Sequence, residues 1–134
     1  MKRIVLIMMM AGIFFSCTKE VAAPQSGAAT NVFFHDTNIE ISNFIASTND
    51  KAGVILNFST KISGNVGAME LMSGENINIF CTIYNIPVQA NNQVQTFSFN
   101  DIQPKGNPVY YMVRYTLKDG TLGGFSPVYT FHIK

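Results

Sequence analysis

The chain has no tryptophan, two histidines and two cysteines, and only 13% of its 134 residues are charged. Each shortage removes a class of function. Nine basic residues stand against eight acidic ones, and no run gathers the basic ones together. A nucleic-acid surface needs clustered positive charge, so no nucleic-acid partner is expected. His35 and His132 each lack a second ligand at metal spacing, so no metal and no cofactor is expected. The carboxylates occur singly. Asp50, Asp101 and Asp119 fall in turn-like contexts, where aspartate bonds its own backbone. There is no Gly-x-Ser-x-Gly elbow and no Cys–His arrangement. Gly64 and Gly67, and Gly120, Gly123 and Gly124, precede no helical pattern and read as loop glycines rather than a phosphate cradle. No catalytic residue is therefore expected. No apolar run reaches the ~20 residues that a permanent membrane helix needs.

The N-terminus holds what is present. Met1-Lys2-Arg3 is a short positive segment, and Ile4 to Phe15 carries no charge. That length fits the apolar region of an export signal. An ordinary signal would end in a small-x-small site, but Phe14 and Phe15 occupy those places, with Ser16 before Cys17. This pattern resembles the lipobox of bacterial lipoproteins, although it departs from the common Leu-Ala-Gly-Cys form. The resemblance implies that residues 1–16 are removed, that Cys17 is acylated, and that the membrane is one partner through this lipid. Two or more acyl chains make such an anchor stable. Thr18-Lys19-Glu20 resembles the export signals that follow some lipoprotein cysteines, and Asp is absent from the second position. The expected address is the outer membrane, with cell-surface exposure in view. If the Cys17 sulfur carries lipid, Cys81 is left alone, and its apolar neighbours mark it as a small core residue.

Val21 to Thr30 is small, uncharged and interrupted by Pro24 and Gly27, which reads as a flexible linker. Val32-Phe33-Phe34 either begins the first strand or packs on the domain edge. Beyond it the apolar period is two, the mark of half-buried strands. Strands are expected at 38–45, 53–59, 68–72, 77–84, 94–100, 109–117 and 125–133. In the second, Val54, Leu56 and Phe58 share a face; in the sixth, Tyr111, Val113, Tyr115 and Leu117 do. In the fourth, Ile77, Ile79, Cys81 and Ile83 share a face and Phe80 and Tyr84 take the other. Seven short strands without a helical period predict an all-β, seven-stranded antiparallel sandwich of immunoglobulin-like kind. The domain plan is a leader at 1–16, a lipidated N-terminus and linker at 17–37, and a sandwich at 38–134.

Val54-Ile55-Leu56-Asn57-Phe58-Ser59 resembles the second strand of fibronectin type III domains, with Phe58 where the core Trp usually lies. Ile102-Gln103-Pro104, then Val109-Tyr110-Tyr111-Met112-Val113-Arg114, resembles their corner and following strand. Ser73-Gly74-Glu75-Asn76, Asp119-Gly120 and Ser126-Pro127-Val128 follow the order of fibronectin-like modules in bacterial surface proteins. The hairpin lacks its Asp-Gly, and Met112 replaces an Arg. The resemblance implies that Leu56, Phe58, Tyr111, Val113 and Tyr115 form the core. It also implies that the Tyr111 hydroxyl bonds backbone at a tyrosine corner.

Phe80, Tyr84, Tyr110 and Phe125 fall outside that core. They are candidate ligand contacts, able to stack on sugar rings or form a partner surface, or else they cover the second face beneath the N-terminal segment. The expected function is a non-catalytic binding or accessory module in a surface assembly, with protein interaction first and carbohydrate binding as the alternative.

Overall fold

A computed structural model describes residues 31–89 and 91–134. The leader, Cys17 and the linker up to residue 30 lie outside the described residues. Nine strands follow in order: β1 (Val32–His35), β2 (Ile39–Thr48), β3 (Val54–Ile62), β4 (Val66–Asn76), β5 (Ile79–Ile86), β6 (Val94–Asp101), β7 (Val109–Leu117), β8 (Leu122–Phe125) and β9 (Tyr129–Phe131). One sheet runs β1-β2-β3-β6, and the other runs β5-β4-β7-β8 with β9 also paired to β7. All pairs are antiparallel. The protein is an all-β sandwich of two sheets.

Alternation sends one side of each strand inward. On β3 the buried residues are Val54, Leu56, Phe58 and Ile62; on β7 they are Val109, Tyr111, Val113 and Tyr115. All five core residues expected from the sequence are at most 2% exposed. Burying one such side chain stabilises by about 1.5–3 kcal/mol. No tryptophan fills the centre. A ladder of rings does so instead, with Phe33 to Phe44 at 4.6 Å, Phe44 to Phe58 at 5.5 Å and Phe58 to Phe97 at 5.6 Å between centroids. Phe44 reaches the ladder through a bulge, where Asn43 takes a φ of 54° that Asn tolerates better than most residues. Tyr129 of β9 packs on Phe44 at 5.2 Å and its hydroxyl accepts the Ala46 amide at 3.4 Å. The two sheets are thereby joined along that side.

The strand count exceeds seven for two reasons. β1 precedes the expected boundary at 38, so His35 lies in a strand opposite Glu40 rather than in a linker. The expected last strand is cut in two because Pro127 has no amide to give the ladder. Ser126 bridges the cut: its amide donates to the Val113 carbonyl at 2.8 Å, and its Oγ accepts the Val113 amide at 2.8 Å. Gly123 and Gly124 also differ from the loop reading, since they belong to β8. A Cβ on Gly123 would stand 2.1 Å from the Tyr115 ring, so only glycine fits beneath that ring.

The largest correction concerns β5. Ile77 is 62% exposed, Ile79 is 61% exposed, and Cys81 is an exposed free thiol rather than a core residue. β5 is the outermost strand, and the hydrophobic core meets it only from Ile83 onward. The register shifts between Leu71 and Met72, leaving Ile83 as the extra residue on β5. Such a bulge re-aims the chain. Tyr84 consequently pairs opposite Leu71 and stacks on Phe99 of the other sheet at 4.7 Å, so it faces inward and Phe80 does not.

Candidate functional site

Tyr111 and Tyr115 both point into the sandwich from β7, and both hydroxyls find carboxylates. Tyr111 donates to Asp101 Oδ2 at 2.8 Å, with both residues buried. The tyrosine-corner expectation is thus corrected in its partner: the acceptor is a side chain at the end of β6, not backbone. Asp101 also accepts the Gln103 amide at 3.3 Å. Burial, and then the Asp101 bond, push the Tyr111 hydroxyl well above the usual tyrosine range. Tyr115 donates to Asp36 Oδ2, and Asp36 Oδ1 accepts the Asn38 and Ile39 amides at 2.7 and 2.9 Å. Burial raises the Asp36 carboxyl, but the Tyr115 hydroxyl and the two amides outweigh it and hold the group below its ordinary value. These pairs tie the sheets together and leave no reactive group over.

The candidate site lies on the opposite side of the same strands, on the outer face of the β5-β4-β7-β8 sheet. Cross-strand register sets it out in rows. Met72 on β4 stands between Thr82 on β5 and Met112 on β7. Glu70 on β4 stands opposite Arg114 on β7, which in turn pairs Phe125 on β8. Tyr110 on β7 pairs Gly74, which contributes no side chain. Phe80 lies next to Thr82 on the same side of β5, one alternation along. Met72 faces outward yet is only 7% exposed, while Phe125 is 44% exposed and Phe80, Tyr110 and Met112 are half-buried.

One polar network crosses this apolar strip. The Arg114 guanidinium pairs with Glu70, its Nε donating to Oε2 at 2.7 Å. Thr82 Oγ1 donates to the other Glu70 oxygen at 3.1 Å. Both charges are satisfied within the face, so the strip is locally neutral. Methionine is adaptable and aromatic rings are stiff, a combination suited to a contact surface. Among the described residues no three His, Cys, Asp or Glu side chains gather as metal ligands do.

Of the four candidate contacts, the structure brings Phe80, Tyr110 and Phe125 to this face. Tyr84 is elsewhere: its ring lies against Phe99, and burial raises its hydroxyl above the usual value. The sequence reading missed Met72, Met112 and the Glu70–Arg114 pair. The signal was available, because Met112 and Arg114 alternate with the core residues Tyr111, Val113 and Tyr115 and must face away from them.

The other sheet offers a contrast. Its outer face carries Asn57, Ser59, Thr96, Ser98 and Asn100, with Ser59 and Thr96 hydroxyls 3.1 Å apart, and its exposed apolar residues, Ile45 opposite Asn57 and Val94 opposite Lys61, stand in separate rows. Comparison of the chain with protein-family models, with curated proteins and with solved structures finds no match.

Proposed function

We propose that the protein is a cell-envelope lipoprotein, held in the outer membrane by acylated Cys17 and exposed at the cell surface. Its sandwich serves there as a non-catalytic binding module for a protein partner. The observation that carries the binding part is the asymmetry of the two outer faces. One is mostly Ser, Thr and Asn, with Ile45, Ile55 and Val94 as scattered apolar exceptions. The other is a strip of Met72, Met112, Phe80, Tyr110 and Phe125 around a self-neutralised ion pair. A central apolar patch with internally paired charges is what a partner can desolvate cheaply.

A fibronectin type III assignment accords with the strand order. β2, β3 and β6 take the places of strands A, B and E, and β4, β7 and β8/β9 those of C, F and G. The fifth strand, β5, joins the sheet of C rather than pairing beside E as in constant immunoglobulin domains.

The test uses the full chain in cells. A photoreactive residue at Met112 is expected to give one discrete protein adduct, and the same residue at Ser98 none. Met112→Lys is expected to weaken capture of that partner at least ~10-fold, as at an interface centre. Equal adducts from both faces would defeat the reading. Sugar binding on a glycan array, abolished by Phe80→Ala and Tyr110→Ala, would replace it with the carbohydrate alternative. For the anchor, labelled palmitate is expected to enter the chain and to be lost in Cys17→Ser.

A further inference from the structure

β1 runs antiparallel to β2, with His35 opposite Glu40 and Val32 opposite Ser42. Going back from His35 to Asn31, the chain therefore advances toward the Thr48 end of β2. Asn31 is held halfway along β2 by Asn43, whose amide donates to the Asn31 carbonyl at 2.7 Å, and from there the chain points toward the Thr48 end. Thr48 stands opposite Val54, and Val54 opposite Asp101. This is accordingly the end closed by the Tyr111–Asp101 bond, not the end closed by Tyr115 and Asp36.

Three connections share that end: the β2–β3 turn, the β4–β5 hairpin and the β6–β7 corner. The hairpin lies against the corner, since a Cβ on Gly106 would stand 3.5 Å from the Glu75 Cβ. The hairpin and the corner each carry an outlying isoleucine. Ile102 in the corner is 75% exposed and Ile77 in the hairpin is 62% exposed. Among the exposed charges beside them Lys51 and Lys105 offset Asp50 and Glu75, and Lys134 adds one cation next to Ile133, which is hydrogen-bonded to Asn107 of the corner. Exposed apolar side chains also occur at the other end, where Val94 and Leu122 are 64% and 55% exposed. Exposure alone does not choose between the ends; the direction of the chain does.

Residues 18–31 separate Cys17 from β1, and fourteen residues span at most ~50 Å at ~3.6 Å each. A lipid on Cys17 thus keeps Asn31 within ~50 Å of the bilayer, with the Thr48 end on the side from which the tether arrives. Resting on the lipoprotein reading above, we infer that this end faces the membrane and that Ile77 and Ile102 enter the headgroup region of the lipid. Two isoleucines would not hold a free domain there. A tether supplies millimolar effective concentration, at which a weak contact is occupied. Because all but one of the local side-chain charges cancel, the contact does not require anionic lipid. The strands then stand upright on the membrane, and the Met–aromatic face is turned sideways, open to a lateral partner.

The experiment uses the acylated full chain reconstituted in phosphatidylcholine vesicles. Nitroxide labels are placed singly at Ile77→Cys, Ile102→Cys, Val94→Cys and Leu122→Cys. All are in a Cys81→Ser background, because Cys81 is exposed and would react. Labels at 77 and 102 are expected to show several-fold higher accessibility to oxygen relative to a water-soluble nickel chelate than labels at 94 and 122. If all four report water, or if 94 and 122 report lipid, the orientation is wrong. Mass spectrometry of the same samples separates the two readings. Acylated Cys17 with aqueous labels overturns this inference alone, whereas unacylated Cys17 overturns the lipoprotein reading with it.

Discussion

The two ends of the sandwich solve one problem with the same chemistry and different surroundings. Tyr111 and Tyr115 lie four residues apart on one strand, face the same way and each donate to an aspartate of the other sheet's side. Tyr111 meets Asp101 where both are buried, and Asp101 has one backbone amide besides. Tyr115 meets Asp36 near the surface, where two amides already hold the carboxylate. The dry pair depends on mutual satisfaction, because a buried carboxylate without a donor keeps its full desolvation penalty. The wet pair has substitutes at hand. The same bond therefore closes the Asp101 end firmly and the Asp36 end lightly.

That comparison is sharpest in the two hydroxyl deletions. Tyr111→Phe removes the donor from a buried Asp101 oxygen and is expected to destabilise by about 1.5–3 kcal/mol, the range for hydrogen bonds to charged groups. Urea denaturation would read this as a lower midpoint with an unchanged slope. Tyr115→Phe leaves Asp36 with the Asn38 and Ile39 amides and is expected to cost about 0.5–1 kcal/mol. Equal losses in the two variants would break the distinction between a dry end and a wet one.

The sequence made the sandwich legible because its strands alternate with period two. Val54, Leu56 and Phe58, and Tyr111, Val113 and Tyr115, announce their faces without help from the rest of the chain. The same rule failed on β5. One extra residue at Ile83 changes which side follows, and an outermost strand exposes even its inward-facing residues where the other sheet ends. Cys81 looked buried because its neighbours are apolar, yet apolar neighbours do not make a core where nothing packs above them. The partner of Tyr111 was hidden for another reason. Asp101 reads as a turn former, and only the crossing from β6 to β7 carries it under that hydroxyl. Most of the candidate face was readable in principle, since Met112 and Arg114 must oppose the β7 core. Its pairing with Met72 and Glu70 required the β4–β7 register.

The smallest effect is also the one that separates the two ends by pH. Asp36 has a folded value below its ordinary one, so the unfolded chain binds more protons in acid. Its contribution is present above the ordinary aspartate value near ~4 and is lost as pH falls through the lower folded value. Because Asp36 is part-exposed and screened, the loss is expected to stay under about 1 kcal/mol. Tyr111 acts at the opposite limit. Its folded value is raised, so its contribution is present below the ordinary tyrosine value near ~10 and is lost as pH rises beyond it. Denaturation midpoints measured from pH 3 to 11, conditions set by those two ranges, should therefore respond differently to the two tyrosine variants. Tyr115→Phe flattens the acid limb, because the bond that lowers Asp36 is gone. Tyr111→Phe flattens the alkaline limb, because the hydroxyl that resists ionisation is gone. An alkaline limb left unchanged by Tyr111→Phe would show that this buried phenol does not carry the pH dependence of the Asp101 end.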